Sequence, residues 1–93
     1  MATFIATAIK MKSGCYYSNE LLEIDKIYLS NSKNGWYSKE IIHDYLKKNP
    51  GDIVVGKNSG PEVIPCTSSK GEKYVKSTPN NTEKDNLLYL PRK

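Results

Sequence analysis

The chain has no long apolar run, two cysteines and one histidine, and these shortages exclude several classes of protein. No stretch of its 93 residues approaches the roughly 20 apolar residues that span a membrane. The start, MATFIATAIK, lacks the basic segment and long apolar segment of a secretory signal. We therefore expect a cytoplasmic protein without a membrane partner, in which Cys15 and Cys66 are reduced thiols.

Motifs of catalysis and of metal or phosphate binding are missing as well. Cys15, Cys66 and His43 lack the paired spacing of a zinc site, and we interpret His43 as a surface histidine. The six glycines form neither G-x-G-x-x-G nor a Walker sequence. Glu40 and Asp44 lie four residues apart on one face of the predicted helix, with Lys47 and Lys48 three and four residues beyond Asp44, which indicates surface charge pairing with the lysines rather than a catalytic pair of carboxylates. The sequence thus predicts a non-enzymatic protein with no cofactor and no metal.

Length and charge favour a small binding protein. A chain of 93 residues predicts one domain, residues 1–93, which buries only roughly 60 to 65% of its unfolded surface. Such a domain gains stability from self-association, so we expect a homo-oligomer. The net charge of +4 is spread evenly along the sequence and mildly favours anions. Solvated lysines and an anion-binding face are both compatible with this balance.

Hydrophobic spacing predicts a small α+β domain. Residues 3–12 alternate, with Ile5, Thr7, Ile9 and Met11 on one side. Further strands are predicted around Ile27 and at 36–37, 52–56, 62–67 and 73–76, with turn-forming residues between them. The resulting prediction is a curled, mostly antiparallel sheet of about five strands with one helix packed on it.

The one predicted helix begins after Ser38, whose hydroxyl can cap the first turn. Tyr37 and Ile42 are spaced for a hydrophobic staple across this cap. The helix carries one apolar stripe, made of Ile41, Ile42, Tyr45 and Leu46.

The closing segment, KSTPNNTEKDNLLYLPRK, places an apolar cluster near the end of the chain. Burying one leucine fully is worth about 1.5 to 3 kcal/mol. We therefore expect residues 77–93 to dock on the domain, after a turn at Asp85 and Asn86. A free peptide motif is the alternative.

Aromatic and basic residues alternate in two places, and this is the main functional signal. A tyrosine beside a lysine can stack on a base while the ammonium group contacts a phosphate. The predicted ligand-binding residues are Trp36, Tyr37, Lys73, Tyr74, Lys76 and Arg92. The alternative is that the aromatic rings belong to the core or its rim and the lysines are solvated.

Two segments of the chain resemble a small bacterial and phage family of unknown function, DUF3892. DKIYLSNSKNGWYSKEIIHDYLKKN resembles its central segment, and KGEKYVKSTPNNTEKDNLLYLP its C-terminal segment. The matching positions are 27–35, 37–46, 73–78 and 85–91, of which the last is the most specific. The family has no assigned activity, but its occurrence in mobile elements implies an accessory role in phage or mobile DNA.

A stoichiometric mechanism suits such a role in countering host defence. We expect a non-enzymatic module that binds or sequesters an anionic, nucleotide-like small molecule or a nucleic acid. The alternative is a protein-binding inhibitor or assembly factor that acts on a host protein.

Overall fold

The computed structural model of the chain describes residues 3–56, 60–78 and 86–93. It contains one α-helix and six strands in these residues, which confirms the α+β class. In chain order, these elements are β1 (Phe4–Met11), β2 (Ile24–Leu29), β3 (Trp36–Ser38), α1 (Lys39–Lys48), β4 (Ile53–Val55), β5 (Val63–Thr67) and β6 (Lys73–Ser77). Short 3₁₀ turns lie at Leu21–Glu23 and Asn86–Tyr89. None of the described helices is long and apolar enough to cross a membrane.

The strands form two sheets rather than the single sheet that the sequence suggested. One sheet has four strands in the order β3-β2-β1-β4, and the other is the β5–β6 hairpin. β1 pairs in parallel with β4, whereas the β1–β2, β2–β3 and β5–β6 pairs are antiparallel. Most pairs are therefore antiparallel, as predicted.

A shift in register changes which side chains of β1 face the core. Ala6 pairs with Leu29 and Ala8 pairs with Tyr28, so that Thr7 is an extra residue between them. An extra residue in one strand reverses the alternation of the side chains that follow it. The strict alternation predicted for residues 3–12 is therefore wrong. The core-facing residues of β1 include Ala6, Ile9 and Met11.

Most of the buried apolar side chains form one cluster on one side of the four-stranded sheet, and Ala8 and Val54 are buried outside this cluster. Helix α1, the β5–β6 hairpin and the second 3₁₀ turn all contribute to it. Its members are Ala6, Ile9, Met11, Ile24, Ile27, Leu29, Ile42, Leu46, Ile53, Val55, Val63, Val75, Leu87 and Leu88. Because all described helices and the hairpin pack on this side, the opposite face of the sheet, called here the outer face, carries none of them.

Helix α1 begins where the sequence predicted, but the side of the helix that is buried differs from the predicted apolar stripe. Ser38 Oγ accepts a hydrogen bond from the Ile41 amide at 3.2 Å, which confirms the cap. Ile41 itself is 58% exposed. His43 is only 3% exposed, so its assignment to the surface is wrong. The hairpin packs against the flank of the helix that carries His43, which was predicted to face solvent. The buried residues of the helix are Lys39, Ile42, His43 and Leu46.

The end of the chain is docked on the domain. Leu87 and Leu88 are buried in the core. The Ile9 amide donates a hydrogen bond to the Pro91 carbonyl at 2.9 Å, and the Lys93 amide donates to the Ile9 carbonyl at 2.8 Å.

These bonds extend the edge of β1 beyond the point where β4 ends, at Val55. The predicted docking is therefore confirmed for residues 86–93. The predicted turn at Asp85 lies outside the described residues.

Candidate functional site

Three lysines lie side by side across the outer face of the four-stranded sheet. Lys10 on β1 is directly opposite Lys26 on β2, and Lys93 lies on the docked tail beside β1. We call these three residues the cationic row. Neighbouring chain segments in a sheet are about 4.8 Å apart, so the row spans about 10 Å. With Trp36, the three side chains line a shallow depression of about 230 Å³.

The cationic row is exposed, and none of its three ammonium groups is paired with a carboxylate in the described part of the chain. All three side chains are exposed, and none forms an ion pair with a described carboxylate. Like charges directly opposite each other destabilise a pair of strands. Folding alone therefore gives no reason for Lys10 to face Lys26.

Three other lysines have described carboxylate partners. Lys12 lies 3.2 Å from Glu72, Lys39 lies 2.9 Å from Glu40 and 3.2 Å from Glu72, and Lys73 lies 2.9 Å from Asp44. The cationic row differs from these lysines because it is left to solvent, and it differs from a single lysine without a described carboxylate partner, such as Lys76, because Lys10 and Lys26 are directly opposite each other. It is therefore the strongest candidate for an anion site on the described surface.

A second row, apolar and aromatic, runs beside the first. Trp36 on β3 is directly opposite Tyr28 on β2, with ring centroids 5.3 Å apart and ring planes at 66°. Ala8 is the next residue across, on β1, and Pro91 follows on the tail. We call these four residues the aromatic row. All four residues of this row, together with Thr7 and Lys93, line a depression of about 540 Å³.

Strand geometry explains why the two rows are parallel. Ala8 and Lys10 are two residues apart on β1, as are Tyr28 and Lys26 on β2, so each pair shares a face. Two residues along a strand cover about 6.5 Å, which is therefore the distance between the rows. The outer face thus presents a line of positive charge next to a line of apolar surface.

A glycine fixes the position of the Tyr28 ring. Gly35 has a φ of 82°, and a Cβ atom at this position would lie 2.6 Å from Tyr28 Cε1. Only glycine lets the backbone pass this close to the ring in this conformation. The Leu29 amide also donates a hydrogen bond to the Gly35 carbonyl at 2.7 Å. Tyr28 is therefore held between this backbone and the Trp36 ring.

Comparison with known proteins places the chain in a family. The family model described as "Protein of unknown function (DUF3892)" matches residues 6–91. The chain belongs to the DUF3892 family. The resemblance inferred from the sequence is thereby confirmed, and the match includes Lys10, Lys26 and Trp36. No curated protein and no solved structure matches this DUF3892 chain.

The structure of this DUF3892 protein does not bring the six predicted binding residues together. Trp36 lies on the outer face, whereas Tyr37 points to the other side of the sheet and packs against the core. Tyr37 and Ile42 line the same apolar depression, as the predicted staple requires.

The predicted residues of β6 belong to the other sheet. Both carboxylate oxygens of Asp44 accept hydrogen bonds from Lys73 Nζ, at 2.9 and 3.1 Å. Tyr74 is opposite Cys66, and Lys76 is opposite a further residue of β5. These two side chains share a face of the hairpin, as predicted, but neither lines the depressions of the cationic and aromatic rows.

Arg92 holds the tail in place rather than lining the outer face. Its Nη1 atom donates hydrogen bonds to the carbonyls of Tyr16 and Ser18, both at 2.7 Å. Its Nη2 atom donates to Asn19 Oδ1 and to the Leu88 carbonyl, both at 3.2 Å. The guanidinium group is thus committed to contacts within the chain.

Four residues of the outer face were not predicted as binding residues from the sequence: Lys10, Lys26, Tyr28 and Lys93. Strand alternation could have placed Tyr28 with Lys26 on one face. Which residues lie next to Tyr28 and Lys26 on the other strands depends on the pairing of distant segments, and no local sequence pattern predicts that pairing.

A buried charged cluster links α1 to the hairpin. Lys39 is 2% exposed and contacts both Glu40, at 2.9 Å, and Glu72, at 3.2 Å. Burial opposes the charge of Lys39, but the hydrogen bonds to the two carboxylates outweigh it and raise its pKa. Hydrogen bonds from Lys12 and then Lys39 lower the pKa of Glu72. The cluster is satisfied internally, so it stabilises packing rather than offering a free charge.

The histidine and the thiols are not arranged as a catalytic group. His43 Nδ1 lies 3.2 Å from Asp44 Oδ1, and its Nε2 atom has no hydrogen-bond partner in the described residues. Cys15 and Cys66 are free thiols. Cys15 donates a hydrogen bond to Glu23 at 3.1 Å, which raises the pKa of the thiol and disfavours the nucleophilic thiolate. The described residues contain no group of three His, Cys, Asp or Glu side chains that could hold a metal ion.

Proposed function

We propose that this DUF3892 protein is a non-enzymatic binding module that takes a phosphate-bearing, nucleotide-like ligand on its outer face. The observation that supports this proposal is the direct opposition of Lys10 and Lys26, beside Lys93 and without a described carboxylate partner. A bound phosphate would offset the repulsion that the fold otherwise contains.

The neighbouring rings supply the second half of the site. Stacking of a base on an aromatic side chain is worth about 1 to 3 kcal/mol. Trp36 and Tyr28 lie beside the lysines, on strands that hold them in fixed positions. A ligand that has both a phosphate and a base therefore gains binding free energy from both rows, whereas inorganic phosphate gains it only from the cationic row.

Trp36 provides a direct test, because it is the only tryptophan of the sequence. We expect its fluorescence to change when a short oligonucleotide or ATP is added at low salt. Lys10→Gln and Lys26→Gln should each weaken binding at least several-fold. Binding should also weaken steeply as salt rises from about 50 to about 200 mM, since phosphate contacts release counterions.

Lys76→Gln is the matched control for this test. Lys76 is also a strand lysine, but it lies in the other sheet, opposite Ile64. The control should bind like the unchanged protein. The proposal is refuted if no nucleotide or oligonucleotide binds at low salt, or if Lys76→Gln weakens binding as much as Lys26→Gln.

A protein-binding inhibitor or assembly factor is the second candidate, and exposed aromatic residues favour it. Tyr17 is 88% exposed and packs edge-on against Tyr16, with ring centroids 5.0 Å apart. Aromatic side chains of this kind often anchor protein interfaces. Binding to a host protein through these rings would depend on Tyr17 and respond weakly to salt, unlike binding at the cationic row.

Either activity would act by stoichiometry, in the cytoplasm, as an accessory function of a mobile element. Sequestering a nucleotide needs as many protein molecules as ligands, which a small chain can supply. Self-association stays a prediction, which the mass of the protein in solution would test.

A further inference from the structure

We infer that the ligand of the outer face is an unpaired nucleic acid strand that lies across the sheet, rather than a single nucleotide. The inference rests on the proposed function and narrows its ligand class. It comes from the direction and length of the two rows, from the openness of the outer face and from the Trp36 ring.

The direction of the rows suits a polymer. A nucleic acid strand carries its phosphates along one side and its bases along the other, with the same repeat. The cationic row and the aromatic row are likewise parallel and adjacent, and both cross β2, β1 and the tail. A strand that crosses the sheet can therefore place its backbone on one row and its bases on the other.

The length of the rows exceeds one nucleotide. The aromatic row spans β3, β2, β1 and the tail, or about 14 Å at about 4.8 Å per step. It offers the rings of Trp36 and Tyr28 at one end and the exposed Pro91 at the other, and Ala8, which is only 6% exposed, forms the floor between them. A single base stacks on one ring and leaves the rest of the row open, whereas two or three successive bases cover it.

The depression along the aromatic row, about 540 Å³, is large enough for a small ligand but lies open on a sheet face that no described element covers. Sites for small molecules are concave and bury about 70 to 90% of the ligand surface. The described elements of this chain cover only the opposite face of the sheet, so a mononucleotide would stay largely solvated. A nucleic acid strand compensates for shallow contacts because it makes several of them at once.

The Trp36 ring favours an unpaired strand over a duplex. Tyr28 packs edge to face against it, with the ring planes at 66°, and so fixes its position. The base faces of a duplex are covered by the neighbouring base pairs, whereas unpaired bases can be splayed and stack on an aromatic side chain.

The test compares three probes: oligothymidylate DNA of about ten nucleotides, a duplex of the same length, and ATP. Binding is followed by Trp36 fluorescence and by the anisotropy of end-labelled DNA. We expect oligothymidylate to bind at least tenfold more tightly than either other probe. With three phosphate contacts, the logarithm of its association constant should fall with a slope of about −2 against the logarithm of salt concentration.

Variants assign this binding to the two rows. Lys26→Gln should reduce the slope to about −1.4, while Lys76→Gln keeps it unchanged. Trp36→Leu should weaken binding to oligothymidylate with the slope retained, because it removes a stacking surface and no charge. Circular dichroism confirms that each variant is folded.

The outcomes separate the inference from the proposed function. If ATP binds as tightly as oligothymidylate and depends equally on Lys10 and Lys26, the inference is wrong and the proposed function stands. If the duplex binds as tightly as the single strand, an unpaired ligand is excluded. If none of the three probes binds at low salt, both are wrong.

Discussion

Replacing Lys26 with glutamine should make the protein more stable, not less. Lys26 faces Lys10 across the β1–β2 pair, on the exposed outer face. Glutamine keeps most of the side-chain length and hydrogen-bonding capacity but removes one of the two opposed charges. The substitution therefore relieves a repulsion in the protein without ligand.

The size of this gain follows from simple electrostatics. Directly opposite residues in a sheet contribute roughly 0.2 to 1 kcal/mol. Two like charges about 6 Å apart in water repel by about 0.7 kcal/mol, before salt screening. A gain of about 0.5 kcal/mol would raise the Tm of a domain of this size by about 2 to 4 °C.

Thermal unfolding by circular dichroism at two salt concentrations measures this gain. The increase in Tm should be largest at low salt, because the screening length falls to about 8 Å at physiological ionic strength. In a double-mutant cycle, Lys10→Gln should add less stability to Lys26→Gln than to the unchanged protein. Lys76→Gln, which lies opposite Ile64, should show no comparable gain.

A fall in Tm for Lys26→Gln, or a gain that salt does not reduce, would refute the reasoning. The combination of higher stability and weaker oligonucleotide binding is the informative result. If Lys26 served only the fold, removing its charge would lower the stability of the protein. Opposite effects on stability and affinity are expected of a residue retained for binding.

Two further predictions concern the fold. Leu87 is fully buried, so Leu87→Ala should lower the free energy of unfolding, measured in urea, by about 2 to 5 kcal/mol. The control Ile41→Ala, at a site that is 58% exposed, should change this free energy by under about 0.5 kcal/mol. Equal losses for the two variants would contradict the docking of the tail. Hydrogen bonds from Lys12 and Lys39 lower the pKa of Glu72 below its ordinary value of 4.5. The contribution of Glu72 to the stability of the protein is therefore complete above pH 4.5 and is lost as the pH falls below 4.5. The urea midpoint should fall less steeply in acid for Glu72→Gln than for the unchanged protein; identical curves would show that this carboxylate contributes nothing.

Local features of the fold were predictable because their causes are local. The cap at Ser38 depends on one hydroxyl and the amide three residues later. The hairpin of β5 and β6 follows from two apolar runs separated by turn residues. Leu87 and Leu88 are too apolar to remain in solvent, so the docking of the tail could be inferred without knowing where it lands.

Features that depend on pairing between distant segments could not be predicted. The burial of His43 requires the hairpin to pack on α1, and the hairpin lies about twenty residues further along the chain. The alternation of β1 reverses at Thr7 because of its register with β2. Lys10 and Lys26 are unremarkable in the sequence, and only this register places them opposite each other.

The docked tail connects the core to the candidate site. Arg92 lies opposite Ile9 and is hydrogen-bonded to Tyr16 and Ser18, so alternation turns its neighbours toward the outer face. Lys93 then completes the cationic row. Arg92, which the sequence suggested as a phosphate ligand, thus acts as the anchor that positions Lys93. The same segment that closes the core therefore supplies one of three charges to the outer face. If the proposed function holds, loosening the tail should weaken both the stability of the protein and its affinity for the ligand.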